Sequence, residues 1–434
     1  MNKKNSSTLQ NIKNKKSIEL LNDCKKLLNT LSKNKSVFKT PCYFYDSIGV
    51  TKSVNRFVQA FQKVNLQPEI YFAIKSNPFN LLIKDLTKLG IGIDVSSIQE
   101  LDVAKKSGAK RIIVTGPGKD IDSIRVFLKE PKIKKIYLDS LHEVKIVSEL
   151  VKKYGVKILN NKNIGIRILP ESLSSWDKFG VHVDSVAKLL NTNQLGFNIT
   201  ALQFHISYVK SGEVFSKALK EVNNAFKKVP SDILDKIKYI DIGGGYTPES
   251  LEGEYLWNME GLSLFDIVPI REKILSMPAK KRASFPKVSS IEEIAKEISA
   301  AWNKFIKPLF RNATINLEPG RYFSANSMHI LLKVADLKSD KSIILNGGWN
   351  MLGWEKYQYI FYAPVFNLSR LNFKNEFPVV MYGNLCLPDD IWGYYLHGDS
   401  VEIGDTLLIP YQGAYTYTYR QSFIRGIPKV YKCR

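Results

Sequence analysis

The chain has 434 residues, 44% of them hydrophobic and 11% aromatic, enough to bury the cores of two domains. Its 63 Lys and Arg against 41 Asp and Glu give a formal net charge of +22. The lysines are scattered among asparagines, as at Lys13, Lys15 and Lys16, Lys105 and Lys106, or Lys134 and Lys135, with no recognition motif, so no nucleic-acid partner is expected.

Cys24, Cys42, Cys386 and Cys433 form no C-x-x-C pair, which argues against zinc and against a disulfide framework. The basic N-terminal stretch lacks an apolar signal core, and no later stretch is apolar for long enough to cross a bilayer. A cytoplasmic protein with no membrane association is expected.

Residues 1–40 read as a Lys/Asn-rich extension, in which Ile18, Leu20, Leu21, Leu27 and Leu28 predict a short amphipathic helix. The run PCYFY (41–45) predicts a strand. From there to about residue 325 strands alternate with helices. Candidate strands are 70–74, 91–95, 112–114, 136–138, 164–168, 202–206, 239–242 and 315–317; amphipathic stretches such as 81–89, 98–107 and 183–190 lie between them. Eight strands with intervening helices predict a (β/α)8 barrel of the TIM type over 41–325, although a doubly wound open sheet would also alternate. The polar interval 246–299 predicts an insertion on the rim after the seventh strand. Residues 326–434 carry short β-rich runs at 330–334, 342–345, 359–362, 379–382 and 406–409. They predict an antiparallel β domain joined by the strand at 41–46.

Functional residues of such a barrel lie at the C-terminal ends of its strands. There the sequence places Lys75 in YFAIKSN (71–77), Asp94 in GIDVSS (92–97) and Arg167 in GIRI (165–168). It also places His205 in LQFH (202–205), Gly243, Gly244 and Gly245 in DIGGG (241–245), and Glu318 in EPGR (318–321). Each has a plain structural reading taken singly: Asp94 caps a helix, the glycines make a turn, the histidine is a satisfied core residue. Together they compose one chemistry. A lysine at the end of an apolar strand is costly to keep charged and suits a Schiff base with pyridoxal phosphate. Glycines let backbone N–H groups approach a phosphate, and an arginine beside them adds charge-assisted bonds. A carboxylate can keep a pyridine nitrogen protonated, and an imidazole can cover the ring.

These motifs, in this order, resemble the fold-type III PLP-dependent enzymes, specifically the group IV decarboxylases. That family includes ornithine and diaminopimelate decarboxylases and relatives in polyamine and siderophore synthesis. The resemblance runs from about residue 41 to 426 and implies an alanine-racemase-like architecture: the barrel plus the β domain. It implies that Lys75 holds the cofactor, Asp94 lies near it, His205 stacks on it and Glu318 meets its ring nitrogen. Gly243, Gly244, Gly245, Gly320 and Arg321 would receive the phosphate, as would Tyr415 in GAY (413–415). GNLCLPDD (383–390) is similar to the family's G-x-x-C-x-x-x-D motif. The resemblance makes Cys386 the proton donor, acting across a homodimer with shared active sites, and Asp390 the motif's aspartate.

Four positions depart from the family's pattern, and the first two bear most directly on the substrate. Leu387 follows the motif cysteine where diamine-type relatives carry an acid, and Ala363 stands where a second aspartate is usual. HISY (205–208) replaces His-x-Gly-Ser, which leaves Ser207 to serve the phosphate. Arg425, in FIRG (423–426), offers a contact for an anionic substrate. A free distal ammonium would then lack its partner, at a cost of several kcal/mol. The expected reaction is α-decarboxylation of an N-acylated, citryl-type diamino acid in siderophore synthesis. The alternative is ornithine, lysine or diaminopimelate, in polyamine or lysine synthesis. A racemase is disfavoured because Glu318 stands where such racemases pair the ring nitrogen with arginine. A non-catalytic regulator is disfavoured because the whole residue set is kept.

Overall fold

The computed structural model describes residues 7–12, 15–33, 38–173, 177–192, 195–256, 273–353, 361–388 and 390–432. The chain divides into two compact units, one made of 50–247 with 288–323, the other of 1–49, 248–287 and 324–434.

The first unit is the parallel barrel. Its strands are β1 (Glu69–Ala73), β2 (Gly92–Val95), β3 (Ile112–Val114), β4 (Ile133–Leu138), β5 (Asn163–Leu169), β6 (Ala201–Gln203), β7 (Tyr239–Asp241) and β8 (Thr314–Leu317). All eight sequence-predicted strands are present. Each pairs in parallel with the next, and β8 returns to β1 through Asn316↔Glu69 and Leu317↔Ile70. That closure excludes an open doubly wound sheet. The lumen is filled with side chains. Asn316 of β8 donates to the Tyr137 hydroxyl of β4, on the far side of the ring, at 3.2 Å. Two glycines make room for the rings that fill this layer: a Cβ on Gly92 would lie 2.4 Å from Tyr71, and one on Gly165 2.5 Å from Tyr137.

The outer helices follow local rules. Asn80–Lys88 buries Leu82, Ile83 and Leu86. Ile98–Lys106 starts at Ser97, whose side chain accepts the Glu100 N–H and satisfies an orphan donor. Glu213–Phe226 buries Phe215, Ala218, Leu219, Val222 and Phe226, one face of a 3.6-residue period.

The second unit is a β-barrel. Met328–Ser339 pairs with Ser342–Leu345, and the ring runs on through Glu376–Tyr382, Ile391–His397, Val365–Asn367 and Thr406–Ile409 back to Met328–Ser339. Cys42–Tyr45 adds antiparallel to Met328–Ser339 and parallel to Lys429–Lys432. The unit is mixed where the sequence predicts antiparallel pairing throughout: Ser342–Leu345 with Glu376–Tyr382 and Val365–Asn367 with Ile391–His397 are also parallel.

Two segments are placed differently from the sequence reading. Residues 248–287 group with the β unit, where the sequence puts an insertion on the barrel rim. Gly253–Tyr255 pairs with Ala283–Ser284 and with Phe361–Tyr362, and Tyr255 and Ile274 pack in one core with Tyr362, Tyr394 and Tyr395. The N-terminal extension also belongs to this unit. Its helix Lys15–Lys33 buries Cys24, Leu28 and Leu31 against Phe44, Leu331 and Leu408. Ahead of it, the Thr8 hydroxyl donates to buried Glu376 at 2.7 Å. No helix among the described residues is long and apolar enough to cross a membrane.

Candidate active site

Six strands of the first barrel deliver polar or glycine residues to its C-terminal rim. β1 ends at Ala73, and a 3-10 turn over Ile74–Ser76 carries Lys75. Its positive charge is felt by Asp94, His205 and Glu318, so the amine lies at the same end of the barrel as these groups.

Three carboxyls are buried there. Asp94 accepts the Thr115 hydroxyl at 2.8 Å. Asp241 accepts the Gly243 N–H at 2.9 Å. Glu318, 1% exposed, accepts from Gln203 Nε2 at 3.1 Å and lies 3.2 Å from His205 Nδ1. Three charges cannot share such a volume. Burial, then the Glu318 charge, pushes the Asp94 and Asp241 carboxyls far above the ordinary carboxylate range, so both hold protons. Burial also opposes ionisation of Glu318. The His205 hydrogen bond and charge, with the charges of Lys75 and Arg167, outweigh it and hold Glu318 below that range. Burial lowers the His205 pKa, and the nearby Lys75 charge lowers it further, against the pull of the Glu318 hydrogen bond. The site thus favours one ionised carboxylate, hydrogen-bonded to His205.

The triple glycine has a steric cause. Gly243 and Gly245 hold φ of +70° and +83°. A Cβ on Gly243 would lie 2.5 Å from the Phe204 carbonyl, one on Gly244 2.4 Å from that of Glu318, and one on Gly245 2.1 Å from that of Ile206. The loop packs directly against the ends of β6 and β8. A Cβ on Gly320 would lie 3.3 Å from Ser76 Cβ and 3.4 Å from Ala73 Cβ, so the EPGR turn runs close to the lysine turn. The Arg321 guanidinium lies over the Tyr208 ring, 5.4 Å from its centroid. Ser207 is exposed beside them.

Arg167, a cofactor-binding candidate in the sequence, pairs its guanidinium with Asp139 at 3.1 Å and lies over Phe179, 4.4 Å from the ring centroid. It reaches the site through its charge, which acts on Glu318 and His205. Gln203, Thr115, Asp139 and Asp241 have no assigned role in the sequence reading. Gln203 was readable: it stands two residues before His205, and alternation along β6 sends both inward.

The remaining candidates lie in the β unit. Asp390, read as a substrate residue, is 1% exposed and accepts backbone N–H groups from Trp349 and Leu385, both at 2.9 Å. It is committed to shaping its loop: Gly383 donates to its carbonyl at 2.7 Å, and a Cβ on Gly383 would strike its carboxylate. On the loop so held, Cys386 is exposed and Leu387 half-buried. Tyr415 has φ +60° and opens the short helix Thr416–Tyr419. Ala363 is half-buried after Phe361–Tyr362, and Arg425 is exposed. Cys433 lies outside the described residues.

The barrel residues fit pyridoxal phosphate on structural grounds. The buried Glu318 carboxyl and the flat His205 imidazole meet at the strand ends, Asp94 and Asp241 each keep one oxygen with no hydrogen-bond partner, and the glycine backbone admits no side chain.

Comparison with known proteins agrees. Residues 50–325 match the model of the pyridoxal-dependent decarboxylase family's pyridoxal-binding domain. Diaminopimelate decarboxylase of Methanocaldococcus jannaschii is 24% identical, covering 91% of this chain and 86% of that protein. A probable ornithine decarboxylase of Dictyostelium discoideum is 23% identical, covering 83% and 72%. The crystal structure of M. jannaschii diaminopimelate decarboxylase superposes with a TM-score of 0.74 at 23% identity, covering 92% of this chain and 88% of that one. Barrel and β unit together thus have the alanine-racemase-like architecture. The family match spans well over half the chain, so the chain belongs to the pyridoxal-dependent decarboxylases and is an amino-acid carboxy-lyase that works with pyridoxal phosphate.

Proposed function

We propose that the chain removes the α-carboxylate of a free diamino acid of the ornithine, lysine or diaminopimelate class. The relatives named above act in that class by name, and this supports it over the citryl-amino-acid reaction expected from the sequence. The observation that carries the decarboxylase chemistry is the buried Glu318 carboxyl 3.2 Å from His205 Nδ1 at the strand ends of the barrel. When bound, pyridoxal phosphate supplies an electron sink for the pair released as carbon dioxide leaves.

The chain's own residues set this up. Lys75 would supply the amine that holds the cofactor. Glu318 keeps a proton on the ring nitrogen, because its negative charge is fixed and cannot be solvated away. His205 covers a ring face without adding positive charge. Asp94, protonated, adds no second negative charge. Gly243, Gly244, Gly245, Gly320, Arg321 and Ser207 would receive the phosphate. Cys386 returns a proton to Cα, in the site of a second copy in a homodimer. Its exposure on a loop held by Asp390 supports that placement.

A second reading rests on one observation. Leu387 and Ala363 offer no charge to a distal ammonium, which favours a substrate whose side-chain amine is acylated, with Arg425 meeting an added carboxylate. Carbon dioxide release from ornithine, lysine, diaminopimelate and their citryl conjugates tests both. Turnover of free diamino acids supports the first reading; turnover of the conjugates alone replaces it with the second.

A further inference from the structure

Tyr208 stands three residues beyond His205 with a backbone φ of +52°, where bulky side chains are seldom found. It is 63% exposed, so burial of its ring does not account for it. Its backbone is clamped to the glycine loop. The Val209 N–H donates to the Gly245 carbonyl at 2.8 Å, and Val209 bridges Tyr246 in parallel. From the other side, a Cβ on Gly245 would lie 3.2 Å from Val209 Cγ2. The turn is therefore fixed by close backbone packing. A strained residue held this way beside a reactive site invites a functional reading.

The ring it presents lies beneath Arg321, whose guanidinium carbon is 5.4 Å from the ring centroid. A guanidinium stacked on an aromatic face keeps its N–H donors in its own plane, aimed past the ring edge. In that plane it can fork onto two oxygens of one anion. We propose that Tyr208 is a positioning residue: its ring face sets the plane of Arg321 for the phosphate of pyridoxal phosphate. The inference rests on the reading that Arg321 and the glycine loop receive that phosphate. It assigns to this chain a ring-on-guanidinium device in the HISY turn, with the tyrosine hydroxyl playing no part.

The test compares binding of pyridoxal phosphate and of pyridoxal, which lacks the phosphate, to the full chain and its variants by absorbance titration. Tyr208→Gly accepts the left-handed backbone but has no ring; Tyr208→Phe keeps the ring and loses the hydroxyl. Tyr208→Gly should keep its melting temperature and weaken pyridoxal phosphate by about two- to fivefold, the size of a partly exposed cation–π contact. Pyridoxal affinity should not move, and Tyr208→Phe should match the parent. With Arg321→Met already present, adding Tyr208→Gly should change nothing further. Parent-like phosphate affinity in Tyr208→Gly, equal losses in the Phe and Gly variants, or parallel loss of pyridoxal would each overturn the proposal. A parent that binds the two ligands equally would overturn the phosphate reading beneath it.

Discussion

His205 Nδ1 lies 3.2 Å from Glu318 Oε2 and 3.2 Å from the Gly244 backbone nitrogen. One ring nitrogen cannot donate to the carboxylate and accept from the amide at once. Ionised and buried, Glu318 needs a donor, so the N–H is placed on Nδ1 and points at the carboxylate. Glu318→Gln removes the charge and keeps the shape. The variant should still bind pyridoxal phosphate, with turnover falling on the order of 10²-fold or more, as for loss of a preorganised electrostatic partner. Retained cofactor absorbance with near-normal turnover would contradict the role.

The charge of Lys75 acts on Asp94, His205 and Glu318 together. Borohydride reduction of the holoenzyme should fix the cofactor to the peptide containing Lys75. A tag on any other lysine would remove this residue from the reaction.

Much of the barrel is legible in the chain because parallel strands are buried on both faces and read as unbroken β-branched runs; IIV at 112–114 is one. Strand ends then point to Lys75, Asp94, His205 and Glu318 with no knowledge of pairing. What escapes depends on partners far away in sequence. The ion pair of Arg167 needs Asp139 from the neighbouring strand. The hydrogen bond that Asp390 accepts needs the N–H of Trp349. The strand Ile391–His397 shows no alternation because nearly all of it is buried, and residues 248–287 find partners as distant as Tyr362.

Asp241 makes stability depend on pH. Burial and the Glu318 charge raise its folded pKa far above the ordinary value, so the folded chain binds a proton that the unfolded chain releases. With a raised folded pKa, the contribution is complete below the unfolded pKa and is lost as pH rises toward the folded one. Each pH unit in that window costs about 1.4 kcal/mol. Asp241→Asn keeps the acceptor for the Gly243 N–H and carries no proton to lose. Its urea midpoint should gain on the parent steadily between pH 5 and pH 8. A constant difference across that range would show that Asp241 is ionised in the fold.

Cys386 tests the shared-site arrangement. Cys386→Ala should bind the cofactor normally but reprotonate Cα slowly. Mixed with inactive Lys75→Ala protein under conditions of subunit exchange, it should regain part of the parent activity, since hybrid dimers hold one intact site. Exchange shown by mass with no recovery would place both residues in the site of a single chain.

Leu387 tests the choice of substrate. It is half-buried next to Cys386, and with Ala363 it leaves the two positions where an acid would meet a distal ammonium without charge. If the substrate is a free diamino acid, another group must bind that ammonium, and Leu387→Asp adds a second anion. If the substrate is acylated, Leu387 packs against the acyl group. The two cases differ in sign. For a free diamine substrate, Leu387→Asp should raise kcat/KM on ornithine or lysine, by up to about fivefold for a partly exposed pair near 1 kcal/mol. For an acylated substrate it should lower kcat/KM on the citryl conjugate while creating measurable activity on the free amino acid. Raised salt separates the contributions further, because an exposed contact from Arg425 to an added carboxylate is screened beyond roughly 8 Å at physiological ionic strength. KM for a conjugate should then climb with salt and return to a salt-independent value in Arg425→Gln. No change on either substrate class in Leu387→Asp would place the side-chain pocket away from the Cys386 loop altogether.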